Sequence, residues 1–430
     1  MSRFIFLKFI ALVIMTGLLF SSCQPKGEAM ADLVLLNGQI WTVDPDRPEA
    51  SAVAINQNRI LAVGQDSNVK ELIGPETKVI NLKGAFVLPG FIDAHTHFLN
   101  GGFALKSVKL RDCRRREEFI SRIAAKASEL PSGAWIVNGD WDHEQFSPPE
   151  LPRKEWIDAV TPNHPVCVNR FDGHMVLVNS LALKLAKIGR DTVSPSGGEI
   201  VKDSLTGEPT GILKDAACDL IYAIIPEPSL EEKLAAVRIA LQEAASHGVT
   251  SIHDMSDLSS FEVYQILRQK GELTARLYVY DQISDLDNFL QLKEKSGSGD
   301  QFLRLAGLKG FIDGSLGSST AYFFKPYSDE PGNCGLLASH MYPEGIMEKR
   351  LFRADQAGCQ VAVHAIGDWA NALILDLYQK VFEQNGPRDR RWRIEHAQHL
   401  QRDDMGRFGQ LGLIASVQPY HLFDDGVWAE

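Results

Sequence analysis

The chain has no long run of lysine and arginine and no close pair of cysteines, and each absence removes a class of protein. Its densest basic cluster, Arg111–Arg116, is interrupted by Asp112 and Cys113 and followed by Glu117-Glu118. With a net charge of −11, such a chain is a poor partner for nucleic acid, and the cluster reads as the solvated start of a helix. Six cysteines, Cys23, Cys113, Cys167, Cys218, Cys334 and Cys359, are scattered through 430 residues. That spacing suggests neither a disulfide framework nor a cysteine-based zinc site, so the internal thiols read as buried apolar groups. What is present is ordinary for a folded protein: 44% hydrophobic and 23% charged residues, in a length ample for a large core and more than one domain.

The N-terminus reads as separate from the fold. Arg3 and Lys8 precede an apolar run of twelve, Phe9–Phe20, which is short against the ~20 residues of a membrane span. Ser21-Ser22-Cys23 and a polar stretch follow. This resembles a bacterial lipoprotein signal, departing from it at Phe20, where Leu is usual. The resemblance implies a signal peptide over 1–22, cleavage before Cys23, lipid on its sulfur, a linker over 23–30 and an exported protein held at a membrane surface.

Residues 31–86 read as a small β domain. Leu33–Leu36, Ile40–Val43, a hairpin of Ala52–Ile55 and Arg59–Val63 turning at Gln57-Asn58, and Lys78–Leu82 are its strands. They are too few for a stable sandwich without partners. From Val87 the chain becomes V-L-P-G-F-I-D-A-H-T-H-F. In an extended strand, residues two apart share a face, so His95 and His97 project together, as two imidazoles must to clasp one metal ion. Residues 100–228, rich in proline and turn signals, read as an inserted subdomain. From the capping box Ser229-Leu230-Glu231-Glu232 onward, helix–Gly–strand units repeat. With Val87–His97, the strands are Val249–His253, Arg276–Tyr280, Leu305–Asp313, Gln360–His364, Arg391–His396 and Ile414–Gln418. Alternating helices and buried strands predict an α/β fold with a parallel sheet. The strand ends carry Lys309 in G-L-K-G-F-I-D-G-S-L-G-S, His364 in H-A-I-G-D and His396 in E-H-A-Q-H. In a barrel of this kind, active groups sit at those ends.

The motif around His95 and His97 resembles the first-strand metal motif of the amidohydrolase superfamily. Together with D-G-S-L-G-S, H-A-I-G-D and E-H-A-Q, it resembles amidohydrolase family 3, the group of N-substituted formamide deformylases, from about Ala31 onward. The resemblance implies a TIM-type (β/α)8 barrel over 87–430, with seven of its eight strands here, and a composite β-sandwich domain of which 31–86 is one half. It implies one or two divalent metal ions, zinc foremost. His95 and His97 would hold one ion and His364 and His396 the second, with Lys309 bridging as a carbamate made with CO2. An unmodified Lys309 paired with Asp313 would leave room for one ion. The expected chemistry is hydrolysis of a non-peptide carbon–nitrogen bond in a small molecule by metal-activated water. His174, Asp313 and His421 are the expected substrate contacts. Asp313, Ser315 and Asp368 also read as loop-shaping hydrogen-bonders. His253 receives no role, and His399 a structural one.

The family's eighth strand ends in an Asp, usually within a G-S-D-W-P-like stretch, which binds metal and shuttles the proton. Nothing after Tyr420 matches it, and Asp424 and Asp425 lie too close to the seventh strand. The expectation is a truncated copy or fragment of a longer enzyme, lacking its general base. The alternative is a catalytically inactive, amidohydrolase-like binding lipoprotein.

Overall fold

Seven parallel strands, each delivering one inward face to a common interior, set the positions of the functional side chains. The computed structural model describes residues 30–171, 175–195, 198–215, 217–317 and 319–428. Residues 1–22, expected to be a signal peptide, and Cys23 lie outside the described residues, and no helix among those described is long and apolar enough to cross a membrane. The chain divides into two units at Gly90/Phe91.

The first unit holds strands β1 (Ala31–Leu36), β2 (Gln39–Trp41), β3 (Glu49–Ala50), β4 (Ala52–Asn56), β5 (Arg59–Gly64), β6 (Ile73–Asn81) and β7 (Phe86–Val87). They form a four-stranded sheet, β5-β4-β1-β6, and a three-stranded one, β3-β2-β7. The hairpin at Gln57-Asn58 forms as its sequence predicts. Asn56 pairs Arg59, and Gln57 takes the left-handed φ of 56° that so tight a turn needs. Val34, Ala52, Ala54 and Val69 fill the small core.

The single strand expected over Val87–His97 is two. Val87 closes the three-stranded sheet of the first unit, and β8 (Phe91–Thr96) belongs to the second. Pro89-Gly90 lies between them, where proline supplies no backbone donor to continue a ladder.

Within 100–228 a separate five-stranded sheet forms: β9 (Ile136–Val137), β10 (Val166–Asn169), β11 (Met175–Val178), β12 (Gly198–Lys202) and β13 (Pro209–Asp215), ordered β12-β13-β11-β10-β9. One of its faces packs on Trp141, Phe119, Phe146 and Trp156. The barrel resumes with β14 (Val249–Asp254), β15 (Arg276–Gln282), β16 (Leu303–Phe311), β17 (Gln360–Ala365), β18 (Arg393–His396) and β19 (Ile414–Ser416). The sheet order is β19-β18-β17-β16-β15-β14-β8, and every pairing is parallel. This is the TIM-type architecture. Among the described residues β8 and β19 are its two edges.

Alternation divides each strand between two environments. Leu277 and Val279 of β15, Val361, Val363 and Ala365 of β17, and Ile394 of β18 join the large core shared with the helices. The opposite face of the same strands presents Tyr280 and Ala362, which pack with Met255, Tyr278 and Ala306 on the lumen side. The helix Leu230–Ser246 begins with the predicted capping box. Ser229 accepts from the Glu232 amide, and the Glu232 carboxylate accepts from the Ser229 amide at 2.8 Å.

Gly307 shows how tightly the strands meet. A Cβ there would stand 2.4 Å from the Gln360 carbonyl oxygen and 2.9 Å from the Tyr280 ring. Gly307→Ala is therefore expected to cost about 1–3 kcal/mol by overpacking, read as a lowered urea midpoint with an unchanged slope. An unaltered midpoint would mean the strands are further apart than described.

Candidate metal centre

The structure brings four imidazoles together at the C-terminal ends of β8, β17 and β18. The His95 ring centroid lies 5.8 Å from that of His97 and 4.8 Å from that of His396, and His396 lies 4.7 Å from His364. Each ring arrives differently. His95 is an inward residue of β8, whereas His97 follows the strand's end and caps the helix Phe98–Lys106. That turn is anchored from below: Asp254, fully buried, accepts from the Phe98 amide at 2.8 Å and from the Tyr264 hydroxyl at 2.6 Å. His364 is an inward residue of β17. His396 should share the outward face of Ile394. It escapes because His396 and Ala397 both take positive φ, 72° and 41°, which turns the backbone as the strand ends. Consecutive non-glycine residues in that region store strain, and strain of this kind concentrates at functional sites.

Hydrogen bonds fix one nitrogen on each of three rings. His95 Nδ1 lies 2.6 Å from Glu395 Oε2. His364 Nε2 lies 2.8 Å from the Gly314 carbonyl oxygen, with Asp313 Oδ1 at 3.4 Å. His396 Nδ1 lies 2.7 Å from Gln418 Oε1, and that amide is oriented by its own donation to the Ser416 carbonyl. Carbonyl and carboxylate oxygens only accept, so each of these ring nitrogens carries the proton. Left with lone pairs are Nε2 of His95, Nδ1 of His364 and Nε2 of His396.

Electrostatics disfavour the charged form of His95, His97 and His396. Burial lowers His95 despite the opposing Glu395 hydrogen bond. Burial, with His95 and Lys309 nearby, brings His97 down to about 4. Burial, with His364 and Lys309, brings His396 down to about 2. Lys309 is an inward residue of β16 and 1% exposed. Loss of water around its ammonium lowers it from 10.5 to about 7, with Glu395 opposing and Arg393 reinforcing the shift. Its amine stands 4.9 Å from the Phe311 ring centroid.

This donor set fits a divalent cation in kind: four imidazoles, three of them with one nitrogen held by a protein acceptor, the usual arrangement around such an ion. Among the described residues no three His, Cys, Asp or Glu side chains already form a complete ligand group. Lys309 is the cluster's remaining polar member, and as an ammonium it repels a cation.

The expected substrate contacts divide. His421 stands beside the cluster, its ring centroid 5.4 Å from that of His396. Both line a cavity of about 220 Å3 with Gln398, His399, Val417 and Leu422. Asp313 is 2% exposed, and its oxygens accept from the Tyr322, Ile366 and Gly367 amides at 2.8–3.1 Å. It shapes the two loops that follow β16 and β17. Asp368 likewise accepts from the Phe324 amide. His174 lies outside the described residues. In the region after β8, Asn138, Gly139 and Asp140 take successive left-handed φ values of 64°, 123° and 52°. Asn138 and Asp140 line a larger cavity with Trp135, Asn100 and Phe103.

Sequence reading missed Arg393 and Glu395. Both face the lumen from β18, at 4% and 0% exposure, and Arg393 Nη2 stands 2.6 Å from Glu395 Oε1. Burial alone would raise the Glu395 carboxyl, but the His95 hydrogen bond and the Arg393 and Lys309 cations hold it down at about 2. The available signal was alternation: two charged residues two apart in a strand whose other face is apolar.

Comparison with known proteins shows one family. The chain matches the amidohydrolase family over residues 78–430. It is 42% identical to protein LONG AFTER FAR-RED 3 of Arabidopsis thaliana, covering 94% of this chain and 70% of that one. It is 31% identical to the putative amidohydrolase YtcJ of Bacillus subtilis, covering 91% and 73%, and 28% identical to the N-substituted formamide deformylase of Arthrobacter pascens, covering 92% and 74%. Among solved structures, an uncharacterized metal-dependent hydrolase from Pyrococcus furiosus superposes with a TM-score of 0.74 at 28% identity, over 91% of this chain and 78% of that one.

The Lys309 shift has a measurable sign. The unfolded chain holds this proton up to pH ~10.4, the folded one only to about 7. Between those values the unfolded state binds more protons, so this group makes stability rise with pH. In chelator-stripped protein, Lys309→Met should be the more stable form at pH 7, by roughly 2–4 kcal/mol, with the gap closing toward pH 10. Parallel stability–pH curves for the two proteins would contradict this burial.

Proposed function

The chain belongs to the amidohydrolase family, and from that membership we propose a metal-dependent hydrolase acting on non-peptide carbon–nitrogen bonds, of the amide or N-substituted formamide kind, in small molecules. The observation that carries the proposal is the convergence of His95, His97, His364 and His396 around the buried amine of Lys309. Four imidazoles offer nitrogen donors, and zinc suits such a set, although other divalent ions do as well. When bound, the ion supplies Lewis acidity to a carbonyl oxygen and makes water a better nucleophile at neutral pH.

The chain's own residues have separable tasks. Gly314, Glu395 and Gln418 hold His364, His95 and His396 in the tautomers that leave a lone pair on each. Lys309, lowered to about 7, has its neutral amine available at neutral pH. That amine condenses with CO2, releasing one proton and forming an N–C bond, and the resulting carbamate replaces a repelling cation with one negative charge shared by two oxygens. His421 and the cavity beside His396 receive the substituent on the scissile nitrogen, and the imidazole orients it. The likeness to an N-substituted formamide deformylase supports the bond type. At the other end of the chain, we propose that Cys23 carries lipid and holds the exported protein at a membrane surface, on the strength of the signal-like segment before it.

Elemental analysis of the purified protein should find one or two divalent ions per chain. Amine release from N-substituted formamides should require them and be abolished by His95→Ala. Full activity in a metal-free preparation would overturn the proposal. Labelled palmitate should enter the protein in cells and be lost in Cys23→Ser, while equal labelling of the two would exclude the anchor.

A further inference from the structure

Beneath the histidine cluster runs a buried chain of polar side chains in which Glu395 alone has been given a task so far; Arg393 and His253 have none. Arg393 is 4% exposed, and its guanidinium meets three lumen partners: His253 Nδ1 at 2.7 Å, the Ala94 carbonyl at 3.1 Å and Glu395 Oε1 at 2.6 Å. The second oxygen of Glu395 lies 2.6 Å from His95 Nδ1. The chain His253–Arg393–Glu395–His95 thus crosses the lumen from β14 to β18 to β8.

We infer that Glu395 and Arg393 are positioning residues: Glu395 fixes the orientation and tautomer of His95, and Arg393, seated against His253, fixes Glu395. This rests on His95 being a metal ligand.

The polarity of both hydrogen-bonded links is forced, and an ion pair joins them. A guanidinium only donates, so His253 Nδ1 accepts and the His253 proton sits on Nε2. An ionised carboxylate only accepts, so Glu395 takes the proton of His95 Nδ1. His95 therefore presents Nε2, with its lone pair, away from Glu395. Geometry makes this rigid rather than incidental. Glu395 is bracketed by Arg393 on one oxygen and His95 on the other, with no solvent exposure to let it swing. Arg393 is held along its own strand as well, because the Tyr378 hydroxyl donates to its carbonyl oxygen at 3.0 Å and its guanidinium lies 5.1 Å from the Tyr280 ring centroid. Structure alone gives no reason to bury such a pair. An apolar pair of similar volume commonly serves a core as well or better, and the neighbouring lumen positions Tyr280, Met255 and Ala362 are filled that way. What the ion pair adds is a fixed acceptor under one imidazole.

Zinc affinity of the purified full chain, measured by competition with a chromophoric chelator, tests this without reference to turnover. Glu395→Gln keeps the shape and removes the charge, and should weaken zinc binding by about 10–100-fold. Glu395→Asp should recover part of the loss. A lowered melting temperature with unchanged zinc affinity would make the pair merely structural and overturn the inference. Absence of zinc binding by the wild-type protein would instead refute the ligand reading itself. Ring nitrogen chemical shifts of His95 in zinc-free wild-type protein, assigned by their loss in His95→Asn, give an answer even if the Glu395 variants do not fold. Protonation at Nδ1 supports the inference, and protonation at Nε2 overturns it.

Discussion

The inward face of a parallel barrel has no solvent to satisfy it, and that constraint governs this site. A polar side chain that enters the lumen must find its partners among other lumen side chains, or its burial is costly. Here five of the seven strands contribute a polar set: His95 from β8, His253 from β14, Lys309 from β16, His364 from β17, and Arg393 and Glu395 from β18. None is stable there alone. Glu395 is ionised because Arg393, Lys309 and His95 surround it, and His253 accepts because Arg393 can only donate. The order along the strands then separates tasks. The apolar and aromatic layer of Met255, Tyr280 and Ala362 closes the lumen, the arginine–glutamate pair sits in the same lumen, and the imidazoles reach the mouth.

The loops at the mouth depend on the same economy of acceptors. Asp313 gathers three amides from the segments that follow β16 and β17. This draws the D-G-S-L-G-S and H-A-I-G-D motifs onto each other and brings the Gly314 carbonyl against His364. Gly367 is a glycine for a matching reason: a Cβ there would lie 2.0 Å from the Tyr322 carbonyl oxygen. Asp313, which the sequence offered as a loop-shaping hydrogen-bonder, is in the fold the clasp that lets a neighbouring histidine be aimed.

Much of this was legible in the chain. The seven barrel strands, the capping box at Ser229 and the hairpin at Gln57-Asn58 follow from hydrophobic periodicity and turn chemistry, which act over a few residues. Less accessible was anything depending on where an element stops. The segment Val87–His97 reads as one strand because its apolar pattern is continuous, yet Pro89-Gly90 divides it between two sheets. His396 reads as an ordinary strand end, yet two left-handed residues are needed to swing its ring to the mouth.

The amino-acid sequence by itself determined the parallel α/β architecture and which imidazoles and which lysine are candidates for one centre, because strand alternation and local motifs encode both. Tertiary structure alone decided which nitrogen of His95, His364 and His396 is engaged, which amides Asp313 gathers, and that Arg393 and Glu395 stand under His95. Those outcomes depend on contacts between residues as much as 300 positions apart. A hydrogen bond across such a distance is set by the closing of the sheet, and no short window of sequence carries it.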